Sequence, residues 1–354
     1  MKIKKITVSG FRNLRDTEII PHDGMNVICG DNAQGKTNLI EAIWIFTGAK
    51  SFRGSKDPEF IGFNAKSANI SADFISEGIE KNAEIKIGDK KTAFLNGKQL
   101  KSVSHLAGNF YAIVFSPTDL NLVTDGPSVR RRFLDLAIGQ LYPKYIDILR
   151  KYTRALQQRN NILYDCSRDA SLKFLLDDYE AVIAENGEKI IKYRLDYCEK
   201  IKKYAPKIYE GIAAKTEILD IEYLSTVKEG NFAEQLKAAR REDMKRNVTS
   251  VGPHRDDLCF KINSFNARLY GSQGQKRSVA LSLKLSEAEI IKSVTGELPI
   301  ALLDDVMSEL DKNRQNYILN HIDGWQVFIT CCETEQIENL KKGKVFTVKN
   351  GEIK

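Results

Sequence analysis

The sequence predicts an α/β fold, a P-loop sheet domain interrupted by a long helical insertion. Three observations carry this. Gly30-Asp31-Asn32-Ala33-Gln34-Gly35-Lys36-Thr37 fits the phosphate-binding pattern G-x-x-x-x-G-K-[ST]. From Pro127 to about Met244 the chain is helical in pattern and nearly free of glycine and proline. The strand pattern then returns, and Ile300-Ala301-Leu302-Leu303 runs into Asp304-Asp305. The expected segments are 1–120, the first part of the sheet domain; 121–245, the insertion; and 246–354, its second part.

In chain order, Ile6 and Val8 fall on one face of a first strand, which ends at Gly10-Phe11-Arg12-Asn13. Met25 to Cys29 reads as a buried strand entering the glycine-rich loop. Behind the loop Leu39, Ile40, Ile43 and Phe46 keep helical spacing until Gly48. In this setting backbone N–H groups converge on phosphates, Lys36 reaches the terminal phosphates and the Thr37 hydroxyl holds Mg²⁺. A nucleoside triphosphate is the expected ligand. Residues 68–75, 83–87 and 91–95 alternate, with Gly88-Asp89-Lys90 and Asn96-Gly97 as turns, which predicts an antiparallel meander. The apolar run 110–115 predicts a buried strand returning to the P-loop sheet.

The insertion carries uneven charge. Residues 128–160 hold Arg130, Arg131, Arg132, Lys144, Arg150, Lys151, Arg154 and Arg159 against Asp135 and Asp147. A second basic stretch, Lys189 to Lys207, is interleaved with Tyr193, Tyr197, Tyr204 and Tyr209. Such stripes suit a nucleic-acid backbone, with Arg130, Arg131 and Arg132 as candidate contacts. A solvated helical face with its tyrosines packed inward fits equally. Pro143, Gly187, Pro206 and Gly211 are the expected helix breaks.

Beyond the insertion, a hairpin is expected at 258–270 and a strong helix at 276–292, opened by Gly271-Ser272-Gln273-Gly274-Gln275. A Ser hydroxyl, a glycine backbone and a helix N-terminus make an anion site separate from the P-loop. One nucleotide cannot easily occupy both sites of one head. The economical arrangement is a head-to-tail pair, in which this segment of one subunit closes over the γ-phosphate held by the other; Ser272 would also serve as a simple N-cap. Asp304 is placed to hold Mg²⁺ through its water shell, and Asp305 to orient or deprotonate the attacking water. A helix through about residue 322, a strand at 326–330 and a terminal pair around Asn350-Gly351 complete the chain.

Bulk properties narrow the class. The 354 residues carry a formal net charge of +7, compatible with a polyanionic partner. No run of about 18 apolar residues exists, so neither secretion nor membrane insertion is expected. The six cysteines form no C-x-x-C pair, and the four histidines are scattered. Reduced thiols in a cytoplasm are expected, with no metal beyond Mg²⁺.

Taken together, Gly10 to Asn13, the P-loop followed by Asn38 to Ala42, Ser116 to Leu120, Arg130 to Asp135, Gly252 to Asp257, Ser272 to Gln275 and Leu303 to Asp311 closely resemble the RecF family of bacterial recombination mediators, over essentially the whole chain. The resemblance implies an ABC-type ATPase head, related to SMC and Rad50 proteins, with a helical lever arm in place of a coiled coil. It implies ATP-driven homodimers on gapped DNA, released by slow DNA-stimulated hydrolysis, which act with RecR and RecO to load RecA and support the SOS response. It also implies that Lys36 and Thr37 bind phosphate and Mg²⁺, that Asn32 and Arg12 lie near the phosphates, that Ser272 and Gly274 act in trans, and that Asp311 sits at the dimer seam. Related heads usually carry Gln after the strand ending here at Phe115 and often His after the penultimate strand; this chain has Ser116-Pro117-Thr118-Asp119 and Thr330-Cys331-Cys332. A transporter subunit, a small-molecule kinase and another short SMC-like ATPase are the competing readings. The first lacks its usual signature here, and the second leaves Ser272 and Asp304-Asp305 without a joint role.

Overall fold

The computed structural model describes all residues except 167–169, 214–216, 229 and 333–342. Strands β1 (Lys2–Ser9), β2 (Thr17–Ile19) and β3 (Met25–Cys29) precede the P-loop, and helix α1 (Lys36–Trp44) follows it. Next come β4 (Ala68–Ser76), β5 (Ile79–Ile87), β6 (Lys91–Leu95), β7 (Lys98–Gln99) and β8 (Ala112–Phe115). The insertion holds α2 (Asn121–Thr124), α3 (Pro127–Leu141), α4 (Pro143–Asp165), α5 (Leu175–Ile212), β9 (Leu219–Leu224) and α6 (Phe232–Arg246). The chain finishes with β10 (Asp257–Ile262), β11 (Phe265–Asn266), α7 (Ala267–Tyr270), α8 (Gln273–Thr295), β12 (Ile300–Leu303), α9 (Lys312–His321), β13 (Val327–Cys331), β14 (Gly343–Lys349) and β15 (Glu352–Ile353).

The strands divide between two principal sheets. The order β15-β14-β3-β13-β12-β8 forms the P-loop sheet, whose strands from β14 to β8 are all parallel. The order β2-β1-β4-β5-β6-β7 is antiparallel throughout and contains the expected meander. Helix α1 is packed between them, with Leu39, Ile40 and Ile43 buried among Ile3, Ile6 and Val8 of β1 and Ile28, Ile300 and Phe328 of the parallel sheet. Burial of each such side chain is worth roughly 1.5–3 kcal/mol. On the opposite face of the parallel sheet Val27, Ile113, Leu303 and Ile329 join a second core with the helices of the insertion and α8. Successive residues of one strand thus enter different cores, which is why these strands read as unbroken apolar runs rather than alternating ones.

Three readings of the insertion need correction. The segment is not wholly helical: β9 lies inside it and pairs antiparallel with β10, the middle strand of a small sheet β11-β10-β9. Alternation in Leu219-Asp220-Ile221 marks this strand, with Leu219 and Ile221 buried and Asp220 exposed. Gly187 and Pro206 do not break α5, which runs through both. Gly187 serves packing instead, because a Cβ there would stand 2.3 Å from the Phe232 ring. Pro143 does open α4, and Gly211 lies next to the end of α5.

The basic stripe, third, is partly folded inward. Arg130 is 3% exposed and pairs with Asp257 at 2.6 Å, so it is not a surface cation. Arg159 is fully buried, bonded to Glu180 at 2.9 Å and to Asp243 at 2.8 Å, and ties α4 to α5 and α6. Arg194 of α5 is held by Asp135 of α3 at 2.7 Å. Helical periodicity turned these arginines inward, each to a carboxylate distant in sequence. In the second stretch Tyr197 and Tyr209 are buried while Lys189, Lys192, Lys202, Lys203 and Lys207 stay exposed, as a solvated face requires.

Candidate nucleotide-binding site

Strand β3 delivers the chain into Gly30 to Thr37 at the edge of the parallel sheet, and α1 starts at Lys36. Gly35 has φ 120°, and a Cβ there would meet Asn13 Oδ1 at 2.9 Å. Only glycine tolerates that backbone together with that approach. The loop is braced from two sides. Asn13 Nδ2 donates to the Ala33 carbonyl at 3.1 Å, and the Gly351 N–H donates to the Gln34 carbonyl at 3.1 Å. The terminal hairpin β14–β15 therefore supports the phosphate loop, a role its Asn350-Gly351 turn does not disclose in sequence.

Lys36 is buried, and its ammonium donates to the Gly30 carbonyl at 2.5 Å and the Asp31 carbonyl at 3.2 Å, which holds the charge at the mouth of the loop. Its Nζ also lies 3.4 Å from Cys332 Sγ, and that thiol contacts Asn32 Oδ1 at 3.2 Å. Cys331 ends β13 as a buried residue with its sulfur 2.8 Å from that of Cys29, whereas Cys332 is exposed. Of the two adjacent cysteines, the first closes a buried strand and the second faces solvent.

The Thr37 hydroxyl donates to Asp304 Oδ1 at 2.8 Å, which joins the end of the P-loop to the end of β12. Thr330 Oγ1 donates to the same oxygen at 3.2 Å and accepts from the Asp305 N–H at 2.8 Å. Burial raises the Asp304 carboxyl above its ordinary range, against the two hydroxyl donors. Asp305 adopts φ 56°, a left-handed conformation costly for a non-glycine residue, and turns the chain sharply at the sheet edge. Thr330, two residues before Cys332, is a site residue that composition could not single out.

Arg12 is anchored on the flank of α1. Its guanidinium pairs with buried Glu41 of α1 at 2.6 Å, donates to Ser55 Oγ at 2.6 Å and lies 5.2 Å from the centre of the Phe60 ring. Its neighbour Asn13 makes the contact to the P-loop backbone. The segment Ser116 to Asp119 forms a capping box in which the Ser116 N–H donates to Asp119 Oδ2 at 2.7 Å.

A second feature lies apart. Ser272 caps α8, accepting from the Gln275 N–H at 3.2 Å, while Gln275 Oε1 accepts from the Ser272 N–H at 2.7 Å. Ser272 and Gln273 are exposed. Arg314 of α9 donates to the Gly274 carbonyl at 3.0 Å and to Ser278 Oγ at 2.9 Å, and is paired with Asp311, the N-cap of α9. Among the described residues no hydrogen bond links Ser272 to Gln275 with Gly30 to Thr37.

Residues 2–354 match the model of the RecF/RecN/SMC N-terminal domain family. The DNA replication and repair protein RecF of Clostridium perfringens is 38% identical over 362 residues, covering 100% of this chain and 99% of that protein. The chain belongs to the RecF family. Its relative RecF from Lachnospira eligens is also 38% identical, over 359 residues. Solved structures of the recombination mediator protein RecF with ATPrS and with ATP, in the RecFOR pathway, superpose with TM-scores of 0.92 and 0.91 at 38% identity, the first covering 99% of this chain and 97% of that one. An Smc head domain from Pyrococcus furiosus shares the fold at a TM-score of 0.55 and 16% identity. This RecF-family chain therefore has the ABC-type ATPase head that the sequence led us to expect. Among the described residues no helix is long and apolar enough to cross a membrane.

Proposed function

We propose that this chain is an ATP-dependent DNA-binding protein of recombinational repair and replication restart. With nucleotide bound, two copies would join head to tail, so that Ser272, Gln273, Gly274 and Gln275 of one would face the nucleotide held at the P-loop of the other, with Asp311 at the seam. The observation that carries this is the pair of separated half-sites: Thr37 already bonded to Asp304 at 2.8 Å, and an exposed, capped helix terminus with no bond to that loop among the described residues. The ATP-bound RecF structures at 38% identity support the nucleotide.

The residues present suit Mg²⁺. Thr37 Oγ1 and Asp304 Oδ1 are adjacent hard oxygen donors, and among the described residues no three His, Cys, Asp or Glu side chains gather to cage a metal. Two such donors match an ion that keeps waters and phosphate oxygens in its shell. When bound, Mg²⁺ neutralises charge developing on the phosphates. Lys36 and the loop N–H groups from Gly30 to Gly35 orient the phosphate chain, and Asp305 orients the attacking water and accepts its proton. Hydrolysis is slow, is stimulated by DNA and releases the dimer. RecR and RecO are the partners through which the protein helps load RecA at gaps and supports the SOS response, in the cytoplasm. Segments 1–120 and 246–354 form the head and 121–245 the lever arm.

Sedimentation with Mg²⁺ under no nucleotide, ADP or ATP, each with and without gapped duplex, tests this. A dimer appearing with ATP alone and travelling with the DNA is expected. A monomer under every condition overturns the head-to-tail reading.

A further inference from the structure

A cavity of about 810 Å³ opens between the loop that follows α1 and the first long helices of the insertion. None of the P-loop residues lines it. Lys50 projects from the head side, Arg131 and Arg132 from α3, and Arg150 and Arg154 from α4. The one acidic residue among its described lining residues, Asp135, is already taken by Arg194 at 2.7 Å and by the Tyr145 hydroxyl.

Arg131 and Arg132 are positioned there by carbonyl groups rather than by carboxylates. Arg132 Nη2 donates to the Ser51 carbonyl at 2.5 Å, and Arg131 Nη1 to the Asp256 carbonyl at 2.8 Å. Carbonyls satisfy N–H groups without cancelling the charge. Arg150 reaches Asp147 at 3.1 Å in an exposed pair, which is worth little in water. Burial and the nearby Arg194 lower the affinity of the Arg131 guanidinium for its proton, the condition that a bound anion relieves.

The wall between these cations is apolar. Leu136, Ile146, Leu149 and Leu156 line it as half-buried side chains. A bare oxyanion would leave that wall wet, and an apolar ligand would leave the arginines uncompensated. A ligand with a flat apolar ring and a multiply charged phosphate meets both demands, and the volume falls in the range of small-molecule sites, about 300–1,000 Å³.

We propose that this cleft binds a nucleotide unit bearing a terminal phosphate, its base on the aliphatic wall and its phosphate at the arginine rim. The unit is either a free nucleoside polyphosphate or the phosphorylated end of a nucleic-acid strand. The site is distinct from the P-loop and does not rest on the head-to-tail reading.

Two arms distinguish the sources. In the first, binding of a fluorescent ADP analogue with Mg²⁺ is counted per chain in the full-length protein. In the second, nucleotide-free protein is titrated with tetrathymidylate carrying a 5′ phosphate, a 3′ phosphate or hydroxyl ends. A second equivalent of ADP analogue, or an affinity at least tenfold higher for a phosphorylated end than for hydroxyl ends, is expected. Arg132→Glu combined with Arg154→Glu should abolish that signal while one P-loop equivalent remains, which also reports folding. Arg132→Gln with Arg154→Gln should weaken it about tenfold, and this pair decides the matter if charge reversal unfolds the protein. One equivalent of nucleotide with no preference for phosphorylated ends overturns the proposal. So does a signal unchanged in the folded variants. Neither failure alters the sedimentation result that tests the proposed function.

Discussion

The Thr37 hydroxyl donates to the Asp304 carboxylate across 2.8 Å, a contact between residues 267 positions apart. It brings the last residue of the phosphate loop against the end of β12, where the proposed Mg²⁺ would find a hydroxyl and a carboxylate side by side. Asp304→Asn keeps the shape and removes the charge. ATP affinity of the monomer in Mg²⁺ should then fall to its value in EDTA, and turnover should drop by about 10²-fold or more. Retention of the Mg²⁺ dependence would remove Asp304 from the ion's shell.

The exposed cap of α8 gives a separate test. Ser272→Arg places a long cation at the proposed seam while leaving the P-loop untouched. Nucleotide binding by monomers should be unchanged within about twofold, and ATP-dependent dimers should disappear from sedimentation profiles. Loss of monomer binding would mean that the segment acts within its own chain.

Buried arginines of the insertion should behave as core rather than as DNA contacts. Arg159→Ala leaves Glu180 and Asp243 facing each other without their shared cation. A loss of about 3–5 kcal/mol is expected for breaking such a buried network, measured by urea unfolding. Arg240 also bonds Glu180, so the loss should lie toward the lower end.

His254 makes stability depend on pH. Its Nε2–H donates to the Thr249 carbonyl at 3.0 Å and its Nδ1 accepts from the Tyr152 hydroxyl at 2.6 Å, so the neutral ring is fully bonded. Burial lowers its pKa to about 4 from 6.5. The unfolded chain takes up the proton first, so the stability this group contributes is complete above pH 6.5 and is lost as pH falls towards 4. At about 1.4 kcal/mol per unit, the loss over those roughly two and a half units is at most about 3–4 kcal/mol. Unfolding curves from pH 7.5 to 4.5 should show a shallower decline for His254→Gln than for the parent. Parallel declines would refute the assignment.

Much of the site was legible before the structure because its chemistry is local. The Gly30-to-Thr37 loop is bounded by its own strand and helix, and the capping box at Ser272 is complete within four residues. Arg12 and the basic stripe were harder. Their partners, Glu41 for Arg12 and Asp257, Glu180 and Asp135 for Arg130, Arg159 and Arg194, lie between 21 and 127 positions away along the chain. Composition counts charges, and only packing tells which of them have been paired and buried.

By itself the sequence determined the α/β class, the phosphate loop, the carboxylates of β12 and the helical nature of most of the insertion, because each depends on hydrogen bonds and periodicities spanning a few residues. Tertiary structure decided the rest. It set Thr330 beside Asp304, put the Asn350-Gly351 turn under the P-loop, paired β9 with β10 and separated cations that face the cleft from those sealed in the core. Those outcomes arise when strands and helices distant in the chain bury their apolar faces together, and the same burial forces each charge either into a pair or out to solvent.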